Sequence, residues 1–231
     1  MIPIEEARSY VMDRCAPLAA IATEVADALG LVTAVDVTAK ESLPPFANTA
    51  MDGFAVRSAD LSTIPARLQI VETIAAGHSP SRAIGQGEAS RIMTGAPIPD
   101  GADAIVMVEK TSVDGDTVSI ETQVEPGNHI RPAGDDVVEG DLVFPSGTEL
   151  SAGHLGLLCS LGLREIETYP RLRVGVISTG DELVDDGGPL APGQIRDSNR
   201  RTLLSLLSGD GFEPVDLGLI ADDELAVEAA L

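Results

Sequence analysis

Apolar residues at spacing four, Ala7, Val11 and Cys15, predict a short amphipathic helix over 4–15 that Pro17 stops. A second helix is expected from Thr23 as N-cap to Leu29, with Gly30 ending it. The β-branched run from Leu31, LVTAVDVTA, reads as strand and leads into the irregular stretch SLPPFANTAMDGFAV. From Arg67 to Val124 the signals are almost all β: RLQIVETI, ASRIMT, AIVMVE, then two short runs forming a hairpin across Asp114, Gly115 and Asp116. Glycines and prolines punctuate this region closely, which suits a small β-rich domain with functional loops.

After the loop GNHIRPAGDDVVEGD, residues 142–144 return to strand, and SAGHLGLLCSLG reads as a helix capped by Ser151 and ended by Gly162. The pattern then changes. RLRVGVIST is a near-continuous apolar strand, NRRTLLSLLSGDG an amphipathic helix with its stop glycine, EPVDLGLI a second strand and DDELAVEAAL the start of another helix. This β-α-β-α order opens a doubly wound parallel sheet. Two such strands with one and a half helices do not cover their apolar surface, so the chain is expected to be a fragment, or to have a partner chain over the open face.

Composition narrows the function classes. The chain has 231 residues, 44% of them apolar, enough for one large domain or two small ones. Trp is absent and there are only 2 Tyr and 4 Phe, which argues against an aromatic platform for single-stranded nucleic acid. Asp and Glu outnumber Lys and Arg 37 to 15, a formal charge of -22 that makes nucleic acid and anionic membranes poor partners. Cys15 and Cys159 stand apart from each other and from any metal-ligand spacing, so neither a disulfide framework nor a zinc site is expected. The first residues lack a signal-peptide pattern, and a cytoplasmic location is expected.

Four segments carry candidate chemistry. In PPFANTAMDGFAV, the carboxylate of Asp52 is followed by Gly53, which would let backbone approach a ligand, although by composition this is also an ordinary turn. In RIMTGAPIPDGADAIVM, Thr94 and Gly95 form either an anion-binding turn or a simple strand connection. IRPAGDDVVEGD sets Arg131 near Asp135 and Asp136, a polarity suited to Mg²⁺ with a phosphate, or to a solvated loop. ISTGDEL is more informative, because Asp181 and Glu182 follow directly from a parallel strand, at the edge where open α/β sheets bind ligands.

Taken together and in this order, PPFANTAMDGFAV, RIMTGAPIPDGADAIV, IRPAGDD and VISTGDEL followed by GQIRDSN resemble the motifs of the molybdopterin molybdenumtransferases of the MoeA type and the related E domain of gephyrin. The resemblance implies a multidomain α+β protein: elongated β-rich N-terminal domains, one inserted in the other, followed by the start of a three-layer, MogA-like α/β molybdopterin-binding domain. The division it implies is 1–43 with 138–170 for the discontinuous N-terminal domain, 44–137 for the inserted one, and 171–231 for an incomplete central domain. The implied activity is insertion of molybdate into adenylylated molybdopterin with Mg²⁺ and release of AMP. The implied partners are a second copy of the chain, as a homodimer with a shared cleft, and a MogA-type molybdopterin adenylyltransferase.

Roles transfer by matching motif positions. Asp52, Thr94 and Glu182 would be catalytic. Arg131, Thr94, Gly95, Asp181 and Asp222 would bind the pterin substrate, and Asp52, Asp136, Glu182 and Asp222 would hold the metal. The family's later Gly-rich turn, its lysines and its proline-rich loop have no counterpart, and Lys40 and Lys110 are the only lysines. The 231-residue chain alone is therefore expected to be inactive. The competing reading is a non-catalytic dimeric scaffold of the gephyrin E-domain kind, for which clustered carboxylates would have no use.

Overall fold

The computed structural model describes residues 2–230. Its secondary structure is mixed α+β, and the chain divides into two compact units, one of residues 1–37, 144–159 and 163–231 and one of 38–143 with 160–162.

The second unit is built on a six-stranded sheet in the order Ala104–Met107, Gly53–Val56, Glu88–Ile92, Ala66–Ile74, Thr117–Ile120, Thr111–Asp114. Alternation along these strands sends Phe54, Val56, Leu68, Ala89, Val106, Val118 and Ile120 to one core face and Ala55, Ile74, Ile92 and Ile105 to the other. Both faces of the central strands are covered, so their residues read as apolar runs rather than clean alternation. The Thr111–Ile120 hairpin forms as expected, with Thr117 opposite Asp114 and Gly115 at φ +59°. Two shorter ribbons also form, Asn48–Thr49 with Ile130–Arg131 and Val37–Thr38 with Leu142–Phe144.

In the first unit, helix Ile4–Met12 is present but buries none of its residues. The helix expected over 23–29 is instead a strand, Ile21–Glu24, followed by a single 3₁₀ turn, Val25–Asp27. Ile21–Glu24 pairs antiparallel with Glu165–Tyr169, and the Thr23 and Thr168 hydroxyls share a 2.7 Å hydrogen bond across the pair. A β-branched residue every second position, at 21, 23 and 25, outweighed the local capping signal once a partner strand was supplied from more than 140 residues away. Helix Ala152–Ser160 starts at Ser151, whose hydroxyl accepts the His154 N–H, and Gly162 (φ +70°) follows it.

Strands Arg173–Thr179 and Glu213–Ile220 run parallel, joined through helix Asn199–Gly209, and helix Glu224–Ala230 follows. Leu217 is an extra residue in that pairing: the register jumps from Val176–Asp216 to Ile177–Gly218, with Gly218 at φ +87°. Within the two strands only Val176 is buried, and most of the other residues are half-buried.

Candidate functional site

The first three motifs converge on the two-residue strand Asn48–Thr49. Ile130 pairs with Thr49 and Arg131 with Asn48. On the same strand, Thr49 N donates to Ala96 O and Gly95 N donates to Thr49 O. Segments distant in sequence thus become neighbours through main-chain hydrogen bonds, which hold whatever the side chains do.

Asp52 sits just beyond this strand and meets the second motif directly. Its Oδ1 accepts the Thr94 N–H at 2.7 Å and the Thr94 hydroxyl at 2.9 Å. The backbone N–H of Thr94 first, then its hydroxyl, and to a lesser degree the charge of Arg91, hold the Asp52 carboxyl below the usual carboxylate range. At neutral pH Asp52 is therefore an ionised acceptor rather than a proton donor. Gly95, at φ +80°, completes the turn behind Thr94.

Gly53 has a different reason from the one its sequence position suggests. A Cβ there would stand 2.1 Å from the Val106 carbonyl oxygen, so glycine is demanded by the neighbouring strand. In the third motif Arg131 Nη2 lies 2.8 Å from Asp136 and Nε lies 3.7 Å from Asp135. These pairs are about half exposed, contribute little to stability, and can be exchanged at small cost for an incoming anion.

The fourth motif lies in the other unit, at the carboxyl edge of the parallel strands. A tight turn, closed by Leu183 N–H to Gly180 O, places Asp181 and Glu182, and the Glu182 carboxylate folds over the space where a Gly180 side chain would stand. Asp222 follows the second strand, and its N–H donates to Asp181 Oδ1 at 3.4 Å. Its neighbour Asp223 is taken up as a cap for helix Glu224–Ala230, accepting the Ala226 N–H at 3.0 Å.

The predicted residues therefore form two groups, Asp52, Thr94, Gly95, Arg131 and Asp136 in one unit and Asp181, Glu182 and Asp222 in the other. The four expected metal ligands are divided between them, and among the described residues no three His, Cys, Asp or Glu side chains form a ready cation cage. The chemistry at the acidic edge nevertheless fits Mg²⁺, which prefers hard oxygen donors and takes one or two carboxylates together with substrate phosphate and water. Arg200, with Asp185, Asp197 and Asp216 around it, is absent from the sequence-derived set; the available signal was the i,i+3 spacing of Asp197 and Arg200 at a helix start.

Residues 2–162 match the family model described as MoeA N-terminal region (domain I and II). The chain belongs to the MoeA family. Residues 175–231 match a second model, described as Probable molybdopterin binding domain. Among curated MoeA relatives, a molybdopterin molybdenumtransferase 2 of Mycobacterium tuberculosis is 44% identical over 217 residues, 92% of this chain and 53% of that protein. The molybdopterin molybdenumtransferase of Haemophilus influenzae is 39% identical over 232 residues, covering 100% and 57%. The crystal structure of a molybdopterin biosynthesis MoeA protein from Pyrococcus horikoshii superposes with a TM-score of 0.90 at 29% identity, over all of this chain and 62% of that one. The chain spans about half the length of the curated relatives it matches. No helix among the described residues is long and apolar enough to cross a membrane.

Proposed function

We propose that this chain provides part of an enzyme of molybdenum cofactor assembly that inserts molybdate into adenylylated molybdopterin and releases AMP. The observation that carries the reading is the convergence of three motif loops on Asn48–Thr49, with the Asp52 carboxylate locked to the Thr94 turn, in a chain that belongs to the MoeA family. Asp52 orients the Thr94–Gly95 turn and keeps a fixed negative charge beside it. Arg131, released from Asp136, offsets phosphate or molybdate charge. Asp181, Glu182 and Asp222 form the acidic edge, where Glu182 and Asp222 would hold Mg²⁺; Asp52 and Asp136, which the motif resemblance also offers as ligands, lie in the other unit. When bound, Mg²⁺ supplies charge neutralisation at the phosphates.

The proposal includes a homodimer, which the unburied helix Ile4–Met12 supports: Ile4 is 81% exposed and Met12 64%. It also includes a cytoplasmic location, delivery of substrate by a MogA-type adenylyltransferase, and the domain division 1–43 with 138–170, 44–137 and 171–231. The deciding experiment uses the full-length protein with adenylylated molybdopterin, Mg²⁺ and molybdate, and measures AMP release and reconstitution of an apo molybdoenzyme. Turnover in the parent that Asp52→Ala abolishes in a folded protein supports the reading; no turnover in the parent refutes it.

A further inference from the structure

The acidic edge is fastened from below by one buried guanidinium. Arg200 is 3% exposed, in the first turn of helix Asn199–Gly209. Its Nε donates to Asp197 Oδ2 at 2.8 Å, Nη1 donates to Asp216 and Nη2 to Asp185. Each carboxylate belongs to a different part of the edge. Asp185 follows the short strand Leu183–Val184, whose partner Ile195–Arg196 is reached through Ile195 N–H to Glu182 O at 2.8 Å. Asp197 also accepts the Ser178 hydroxyl at 3.0 Å, from the strand that leads into Gly180 and Asp181. Asp216 accepts the Gly218 N–H at 2.9 Å and so closes the bulge at Leu217, which sets the direction of the strand end that delivers Asp222.

We infer that Arg200 is a positioning residue that sets the turn bearing Asp181 and Glu182 against the strand end bearing Asp222, so that both sides of the acidic edge face one ligand. The inference rests on the function proposed above for that edge. Only a planar fork with several donors spans three carboxylates on three elements; a lysine ammonium is a point charge and does not. Exposed Arg201 lies 3.3 Å from Asp185 and 3.4 Å from Asp216, and its 62% side-chain exposure leaves it a secondary partner.

The test has two arms. In full-length protein, Arg200→Lys and Asp185→Asn are compared with the parent for kcat and KM toward adenylylated molybdopterin. A positioning role raises KM at least fivefold in folded protein, whereas a purely structural role lowers kcat in proportion to the folded fraction and leaves KM alone. The second arm needs no activity: amide hydrogen exchange of the 231-residue chain. Arg200→Lys is expected to speed exchange at least tenfold both in 181–197 and in 216–222, with the six-stranded sheet unchanged. Where Arg200→Lys does not fold, Asp185→Asn carries both arms, with faster exchange in 181–197. An unchanged KM, or exchange that changes in neither segment, overturns the inference. An inactive parent with the expected exchange pattern removes the proposed function and keeps the coupling.

Discussion

Replacing Gly53 by alanine is the sharpest test of why the first motif has its sequence. The added Cβ would lie 2.1 Å from Val106 O, 2.9 Å from Val106 C and 3.2 Å from Met107 Cα, all backbone atoms of the paired strand. None of these is the flexible end of a side chain. Ordinary contact begins near 3.4 Å, so strand Gly53–Val56 must part from Ala104–Met107 by roughly 1 Å at this point. Overpacking of this kind costs about 1–3 kcal/mol. A separation of that size also lengthens the flanking ladder hydrogen bonds beyond their normal range, and two of them at about 1 kcal/mol each bring the total to about 3–5 kcal/mol. For a unit of this size, 1 kcal/mol moves Tm by about 4–8 °C, so the melt should fall by at least ~12 °C. Gly115→Ala is the comparator: its φ of +59° strains a side chain, but nothing lies within 4 Å, and the cost should stay near 1–2 kcal/mol. Thermal unfolding followed by circular dichroism measures both. A Gly53→Ala protein melting within 3 °C of the parent would refute the strand-contact account and return Gly53 to the role of admitting a ligand.

Thr94→Ala removes one of the two hydrogen bonds that Asp52 accepts, so the carboxyl of Asp52, followed by carbon-detected NMR, should titrate closer to the ordinary aspartate value of about 3.9 than it does in the parent. Asp197 and Asp216 are held below their usual range, first by hydrogen bonds from Arg200. Their contribution to stability is present above the unfolded-state pKa near 3.9 and is lost as pH falls through the lower folded-state values. Urea titrations between pH 5 and 2 should accordingly show a steep loss in the parent and a flatter one in Asp197→Asn, which starts less stable; equal slopes would refute the linkage. Light scattering of the purified chain at micromolar concentration should give twice the mass of 23.9 kDa, and a clean monomer would remove the dimer from the proposal. The 231-residue chain on its own should release no AMP from adenylylated molybdopterin and molybdate, and turnover near that of the full-length protein would refute this expectation.

What was legible in the sequence was what local chemistry specifies. Asp114–Gly115–Asp116 marked the hairpin because its turn needs positive φ, and Ser151 with Gly162 bracketed a helix because those residues satisfy its ends. The parallel strands were legible as runs of apolar, β-branched residues between turn signals, although within them only Val176 is buried. Strand Ile21–Glu24 was not, because its partner lies at 165–169 and nothing local announces it. The two-residue strand Asn48–Thr49 is too short for any periodicity, yet it organises three motifs. Sequence reasoning therefore found Asp52, Thr94 and Arg131 as separate candidates and missed that Asp52 and Thr94 are partners.

The same distinction governs the charges. A net charge of -22 suggests a molecule hostile to anionic substrates, but what matters at a site is which carboxylates are already matched. Asp185, Asp197 and Asp216 surround Arg200, and Asp52 is satisfied by a backbone N–H and a hydroxyl. The carboxylates around Arg200 are matched by a buried guanidinium, and the Asp52 carboxylate by a turn it helps to orient, so none of them stands as an unmatched negative charge. Arg131 is in the opposite position. Its pairs with Asp135 and Asp136 are local and partly solvated, so they hold the guanidinium near the converged motifs without committing it. One arginine buried to fix geometry and another left exchangeable to meet charge is a division of labour that composition conceals, because both appear in the sequence as an arginine close to aspartates.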